Sequence, residues 1–103
     1  MDAQMKKGVL EMCVLAQIKV GDMYGYELMK RIQSAFPDVY DGSVYAVLRR
    51  LSGDGSTTTY EAPAVGGPAR KYYKITETGV KYLESLVSEW KSIQTAVNIL
   101  LNF

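Results

Sequence analysis

A chain of 103 residues, 48% hydrophobic and 22% charged, has the composition of one folded domain rather than a disordered tail. Twelve basic against eleven acidic groups leave a net charge of +1, which excludes a uniformly basic nucleic-acid binder but not a basic face. The lack of histidine removes most catalytic triads, general-base schemes and zinc sites, and one cysteine allows no internal disulfide.

Residues 5–20 read as a first helix whose apolar positions, Met5, Val9, Leu10, Met12, Cys13, Val14, Leu15, Ala16 and Ile18, cover nearly its whole circumference. One side can face the chain's own core; a second subunit is the simplest cover for the other. Gly21-Asp22 ends this helix, and residues 24–36 form a second, with Leu28, Ile32 and Phe36 on one face and Pro37 as its stop. Asp41, Gly42 and Ser43 offer cap chemistry for a third helix over 43–52. Val44, Val47, Leu48 and Leu51 share its apolar face, while Tyr45, Ala46, Arg49 and Arg50 are expected to point the other way.

Residues 57–62 and 70–76 are β-branched and aromatic and read as two strands, joined by a long glycine-rich tip over 63–69. Tyr72 and Tyr73 fall on opposite sides of the second strand, so one should pack on the core. Thr76 is a good N-cap for a last helix running from 76 to near the end, about 42 Å long. Leu83, Leu86, Trp90, Ile93, Val97 and Leu100 recur along it at spacings of 3, 4, 3, 4 and 3, the pattern of a coiled-coil seam. A helix lying on its own core would carry the same stripe. The length beyond the body favours a dimer.

Three helices, a hairpin and a long helix make a mainly α fold with a small β-hairpin: a winged helix-turn-helix plus a C-terminal dimerisation helix. In that fold the third helix enters the major groove of DNA. Arginine can bond guanine edges or phosphate, although two arginines on a wet helix face can also be merely solvated. The charge distribution supports the first reading. Residues 42–75 hold five basic and two acidic groups, net +3, whereas the segments on either side are each net −1. Arg70 and Lys71, after Gly66-Gly67-Pro68, suit a wing that reaches phosphates, and Lys6 and Lys7 could do the same from the first helix. Cys13 reads as a small core residue. Trp90, with Met5, Met12 and Ala16 of the first helix, could wall a cavity between subunits that takes a planar aromatic compound.

Four blocks carry a family resemblance. Lys7-Gly8-Val9-Leu10-Glu11 with Tyr24-Gly25-Tyr26-Glu27-Leu28 resembles the opening helices of PadR-like transcriptional regulators. The segment from Gly42 to Leu51 is similar to their recognition helix, and that from Gly66 to Gly79 to their wing and the start of their last helix. The resemblance implies a homodimeric repressor on an inverted repeat of double-stranded DNA, usually relieved by a small molecule. It places Ser43, Tyr45 and Arg49 at DNA, Arg70 and Lys71 on the wing, and Trp90 at a pore in the dimer interface. The short C-terminal part resembles the small subfamily that dimerises through the last and first helices. Where the family carries apolar residues after Gly55, Ser56-Thr57-Thr58-Thr59 stand here, so two apolar anchors of the wing are missing.

The resulting expectation is a winged helix-turn-helix DNA-binding domain over 1–76 and a dimerisation helix over 77–103, packed with the partner's first helix. DNA contacts fall to Ser43, Tyr45, Arg49, Arg50, Arg70, Lys71, Lys6 and Lys7. An effector pocket or dimer interface falls to Met5, Met12, Ala16, Leu86, Trp90, Ile93 and Val97. A cytoplasmic protein with no membrane partner, cofactor, metal or catalytic residue is expected. The alternatives are a winged-helix module that binds protein without DNA and, further off, an enzyme acting through Cys13.

Overall fold

The computed structural model describes the backbone of residues 3–102 and the side chains of residues 8–102. The elements run α1 (Ala3–Val20), β1 (Met23–Tyr24), α2 (Gly25–Ala35), α3 (Asp41–Gly53), β2 (Thr57–Ala64), β3 (Gly67–Ile75) and α4 (Glu77–Leu101). The three strands form one antiparallel sheet in the order β1-β3-β2. This is the winged helix-turn-helix with a long C-terminal helix that the element order predicts.

The core joins Leu10, Val14, Leu15 and Ile18 of α1 to Leu28, Met29 and Ile32 of α2 and Val44, Val47, Leu48 and Leu51 of α3. Those positions are the apolar stripes of the three helices, so periodicity alone located them. Tyr73 joins the core while Tyr72 stays half-buried on the opposite face of β3.

Four details differ from the sequence expectation. First, Met23–Tyr24 form a short strand on the free edge of β3, pairing with Tyr73 and Tyr72; two residues are too few to carry a visible period. Second, α3 begins at Asp41, and its N-cap Tyr40 makes no side-chain cap hydrogen bond. Asp41 instead accepts from Gln33 Nε2 at 2.7 Å, which ties the start of α3 to α2. Third, the wing tip is tight. Ala64 pairs with Gly67, leaving Val65 and Gly66 as the turn, and the register shifts between Ala62 and Ala64. Gly66 takes the positive φ of 75° that the second residue of such a turn needs.

The fourth difference concerns the wing's base. Ser56 and Thr57 are buried where apolar anchors were expected, and hydrogen bonds hold them. Ser56 N–H donates to Leu51 O at 2.8 Å and to Asp54 Oδ1 at 3.0 Å. The hydroxyls of Ser52 and Thr57 lie 3.0 Å apart. Thr76 clasps the same point, donating from N and Oγ1 to Ser56 O, each at 3.0 Å. The Thr76 hydroxyl also accepts from Gly79 N–H at 3.0 Å, the cap expected of it. Helix α4 passes so close that a Cβ on Gly79 would lie 2.0 Å from Ser56 O.

Candidate nucleic-acid interface

The free side of α3 is narrower than expected. Arg49 is exposed, opposite Val47 and Leu51, whereas Tyr45, Ala46 and Arg50 are half-buried. At about 100° per residue, Tyr45 (three before Leu48) and Arg50 (three after Val47) each lie only about 60° from the core side. The Tyr45 ring packs on α2 at Gly25, where a Cβ would lie 3.0 Å from Tyr45 Cε1. Arg50 turns inward, its Nε donating to Glu11 Oε1 at 2.6 Å. Arg50 therefore does not share the free face of Arg49, a correction to the sequence expectation. Ser43 is half-buried, and its N–H donates to Tyr40 O at 3.0 Å.

Just ahead of α3 stands Tyr40, 78% exposed. It flanks the helix end that meets base edges in helix-turn-helix proteins. The sequence reading passed over it. An aromatic residue directly before a helix start, in a stretch with no apolar period to claim it, was the available signal.

The wing carries Arg70 and Lys71 on opposite faces, with an exposed Lys74 further along β3. Arg70 lies with its guanidinium 4.5 Å from the centre of the Tyr24 ring, and Lys71 Nζ lies 5.6 Å from that of Tyr73. Tyr24, Tyr72 and Tyr60 stand in register across β1, β3 and β2. Tyr60 stacks on Tyr72 with centroids 5.6 Å apart, and its hydroxyl donates to Asp22 Oδ2 at 2.6 Å. That hydrogen bond raises the Tyr60 pKa. The tyrosine row thus braces the hairpin against the strand that opens α2. The side chains of Met5, Lys6 and Lys7 lie outside the described residues.

Helices α1 and α4 enclose an open groove of about 350 Å³, lined by Gly8, Val9, Met12, Leu86, Glu89, Trp90 and Ile93. Four of the expected pocket residues (Met12, Leu86, Trp90 and Ile93) meet here. Ala16 is half-buried against the core and Val97 stands further along α4, neither of them lining the groove. Gly8, Val9 and Glu89 were missed, although Gly8 and Val9 precede Met12 by four and three positions and so share its side of the helix, and Glu89 lies three positions after Leu86. Cys13 is half-buried, and desolvation pushes its thiol pKa up, away from the thiolate a nucleophile needs. No helix among the described residues is long and apolar enough to cross a membrane.

Comparison with known proteins places this geometry. The sequence model of the transcriptional regulator PadR-like family matches residues 14–85. A PadR-like transcriptional regulator from Bacillus cereus shares 38% identity, with a TM-score of 0.88 over 98% of this chain and 99% of that one. A Streptococcus transcriptional regulator shares 30% identity, also with a TM-score of 0.88, over 96% of this chain and 98% of that one. An uncharacterized protein of Lysinibacillus sphaericus is 31% identical over 98 residues, 92% of this chain and 90% of that one. The family match spans the helix-turn-helix, the wing and the first turns of α4, and on that ground the chain belongs to the PadR-like family of transcriptional regulators.

Proposed function

We propose that this regulator is a cytoplasmic homodimer that binds an inverted repeat in promoter DNA and represses transcription. Helix α3 enters the major groove, with Arg49, Ser43, Tyr45 and Tyr40 toward the bases. Arg70 and Lys71 of the wing, with Lys6 and Lys7, meet the phosphate backbone. The observation that carries this reading is Arg49, exposed on the side of α3 away from the core and on the same module as the cationic wing. The net charge of +3 over residues 42–75 supports it.

The dimer rests on the outer part of α4. Trp90 is 40% exposed and Leu100 71%, and Ile93, Val97 and Leu101 are exposed beside them. A continuous apolar ridge of that kind marks a surface that is covered in the working molecule. A second copy, laying its own α1 and α4 over the ridge, would cover it with the same residues. The groove at Trp90 would then face the interface and admit a planar aromatic or amphiphilic effector. The effector would relieve repression by favouring a spacing of the two reading heads that does not fit the operator.

Selection of bound fragments from a random duplex library tests the reading. The expected result is enrichment of one inverted repeat. Binding that enriches no sequence would remove the specific regulator, and no salt-dependent binding at all would leave a module that recognises protein.

A further inference from the structure

Glu11 is the one carboxylate that α1 carries into the core. It is 5% exposed, flanked in the helix by the buried Leu10, Val14 and Leu15. A carboxylate so placed has to be matched by donors. Both of its oxygens are used, and by two different helices. Oε1 accepts from Arg50 Nε of α3 at 2.6 Å, and Oε2 accepts from the Tyr82 hydroxyl of α4. Arg50 and Tyr82 lie 39 and 71 positions along the chain from Glu11. The cluster thus joins α1, α3 and α4 at one point.

Resting on the DNA-binding reading above, we propose that Glu11, Arg50 and Tyr82 govern DNA recognition without touching DNA. They hold the reading helix at a fixed angle to α1 and α4, and they tie that angle to the state of the α1–α4 groove. Arg50 sits in the last turn of α3, at the far end from Tyr40 and Ser43. A shift there swings the end that meets the bases. On α1, Glu11 directly precedes Met12 and lies three positions after Gly8, both in the groove wall. On α4, Tyr82 lies four positions before Leu86 and eight before Trp90, which form the opposite wall. Widening the groove therefore pulls the Tyr82 hydroxyl from Glu11. Loss of the Tyr82 hydroxyl frees the Glu11 carboxylate to re-orient toward its remaining donor, and Arg50, held to it at 2.6 Å, shifts with it. Removing either Arg50 or Tyr82 leaves the Glu11 carboxylate buried with one of its two donors missing, which makes the cluster respond as a unit.

Coupling of this kind is reciprocal: if the groove biases the reading helix, DNA on the reading helix must alter the groove. Trp90, the single tryptophan, lines that groove and reports on it without any effector.

The test takes the full chain, wild type, Tyr82→Phe, Arg50→Gln and the double variant. Each is titrated with the duplex selected by the wild type and with a scrambled duplex, over a range of salt, while Trp90 emission is followed. Tyr82→Phe keeps the ring and its packing. Each single variant is expected to lose about tenfold on the selected duplex. The double variant is expected to lose little more than either single one. Binding to the scrambled duplex and the salt slopes stay as in the wild type. The emission change of Trp90 on binding the selected duplex disappears in Tyr82→Phe.

An Arg50→Gln loss that is equal on both duplexes, with a salt slope smaller by about one and Tyr82→Phe behaving as wild type, would make Arg50 a phosphate contact and overturn the proposal. Equal loss on both duplexes by Tyr82→Phe, with a lower melting temperature, would reduce the cluster to general stability. A wild-type emission that ignores DNA would break the tie to the groove. Wild-type protein that binds neither duplex would instead remove the DNA-binding reading itself.

Discussion

Arg49 and Arg50 are adjacent in sequence and have separate surroundings in the fold. The hydrophobic period of α3 identified its core side, but it could not say that Arg50, on the margin of that side, would find Glu11. In sequence Glu11 is only an interruption of an apolar run, and its partners come from residues 39 and 71 positions away. Pairings over such separations leave no local signature. Arg49→Ala is expected to cost about 1–3 kcal/mol on the selected duplex and to relax preference at one base position, measured by competition among single-base variants. Tyr82 gives a second expectation. Its hydrogen bond to Glu11, helped by burial and the nearby negative charge, pushes its pKa up from 10.0 to about 12. The folded state thus favours the neutral phenol. The stability this contributes is complete below pH 10 and is lost as the pH rises toward 12. Ultraviolet difference titration should find a tyrosine ionising toward pH 12 that is absent in Tyr82→Phe, while the raised Tyr60 remains in both proteins, and the two proteins should converge in stability at the alkaline end. If the tyrosine lost in Tyr82→Phe is one that ionises near pH 10, the bond to Glu11 is contradicted.

At the scale of elements, the helices and the two long strands were legible because each has a stripe or an alternation. The joints between them were not. The wing's base has Ser56 and Thr57 where an apolar pair was expected, and the hydrogen bonds that replace it come from Leu51, Asp54 and Thr76. The loop of residues 63–69 looked long because Pro63, Gly66, Gly67 and Pro68 are all turn residues, yet pairing of Ala64 with Gly67 closes it. Thr76 belongs to both the wing and α4. Thr76→Ala should cost about 1–2 kcal/mol in urea unfolding, through loss of the cap and of the hydroxyl bonds to Gly55 and Ser56. Gly79→Ala should cost more than Thr76→Ala in the same assay, because a Cβ 2.0 Å from a backbone oxygen forces α4 off the wing. Equal stability of Gly79→Ala and wild type would contradict the close passage of α4 over Ser56.

The whole molecule is longer than a compact body of its size. Its radius of gyration is 15.2 Å and its long axis 57 Å, against about 13 Å for the gyration radius of a typical 100-residue domain. The excess is the outer half of α4, whose apolar ridge has no counterpart in the chain's own core. Here the sequence was informative in one direction only. The spacing from Leu83 to Leu100 announced an apolar stripe, but Leu83 is buried in the monomer's core while Trp90, Ile93 and Val97 stand outside it. A stripe reads the same whether the chain or a second copy covers it. Val97→Asp should leave the winged module folded, shift the mass from dimer to monomer in sedimentation, and weaken binding to an inverted repeat far more than to a half-site. A variant that remains dimeric would move the interface elsewhere.

The claim that ties these scales together is that α3 reads sequence while the wing supplies charge. The most direct measurement is the affinity of wild type, Arg49→Ala and the Arg70→Ala/Lys71→Ala double variant for the selected duplex and a scrambled one across a series of salt concentrations. Arg49→Ala should lose affinity on the selected duplex alone. The wing variant should lose it on both, with a salt slope reduced by about two. Parallel losses by Arg49→Ala on both duplexes, or binding indifferent to salt, would contradict the account.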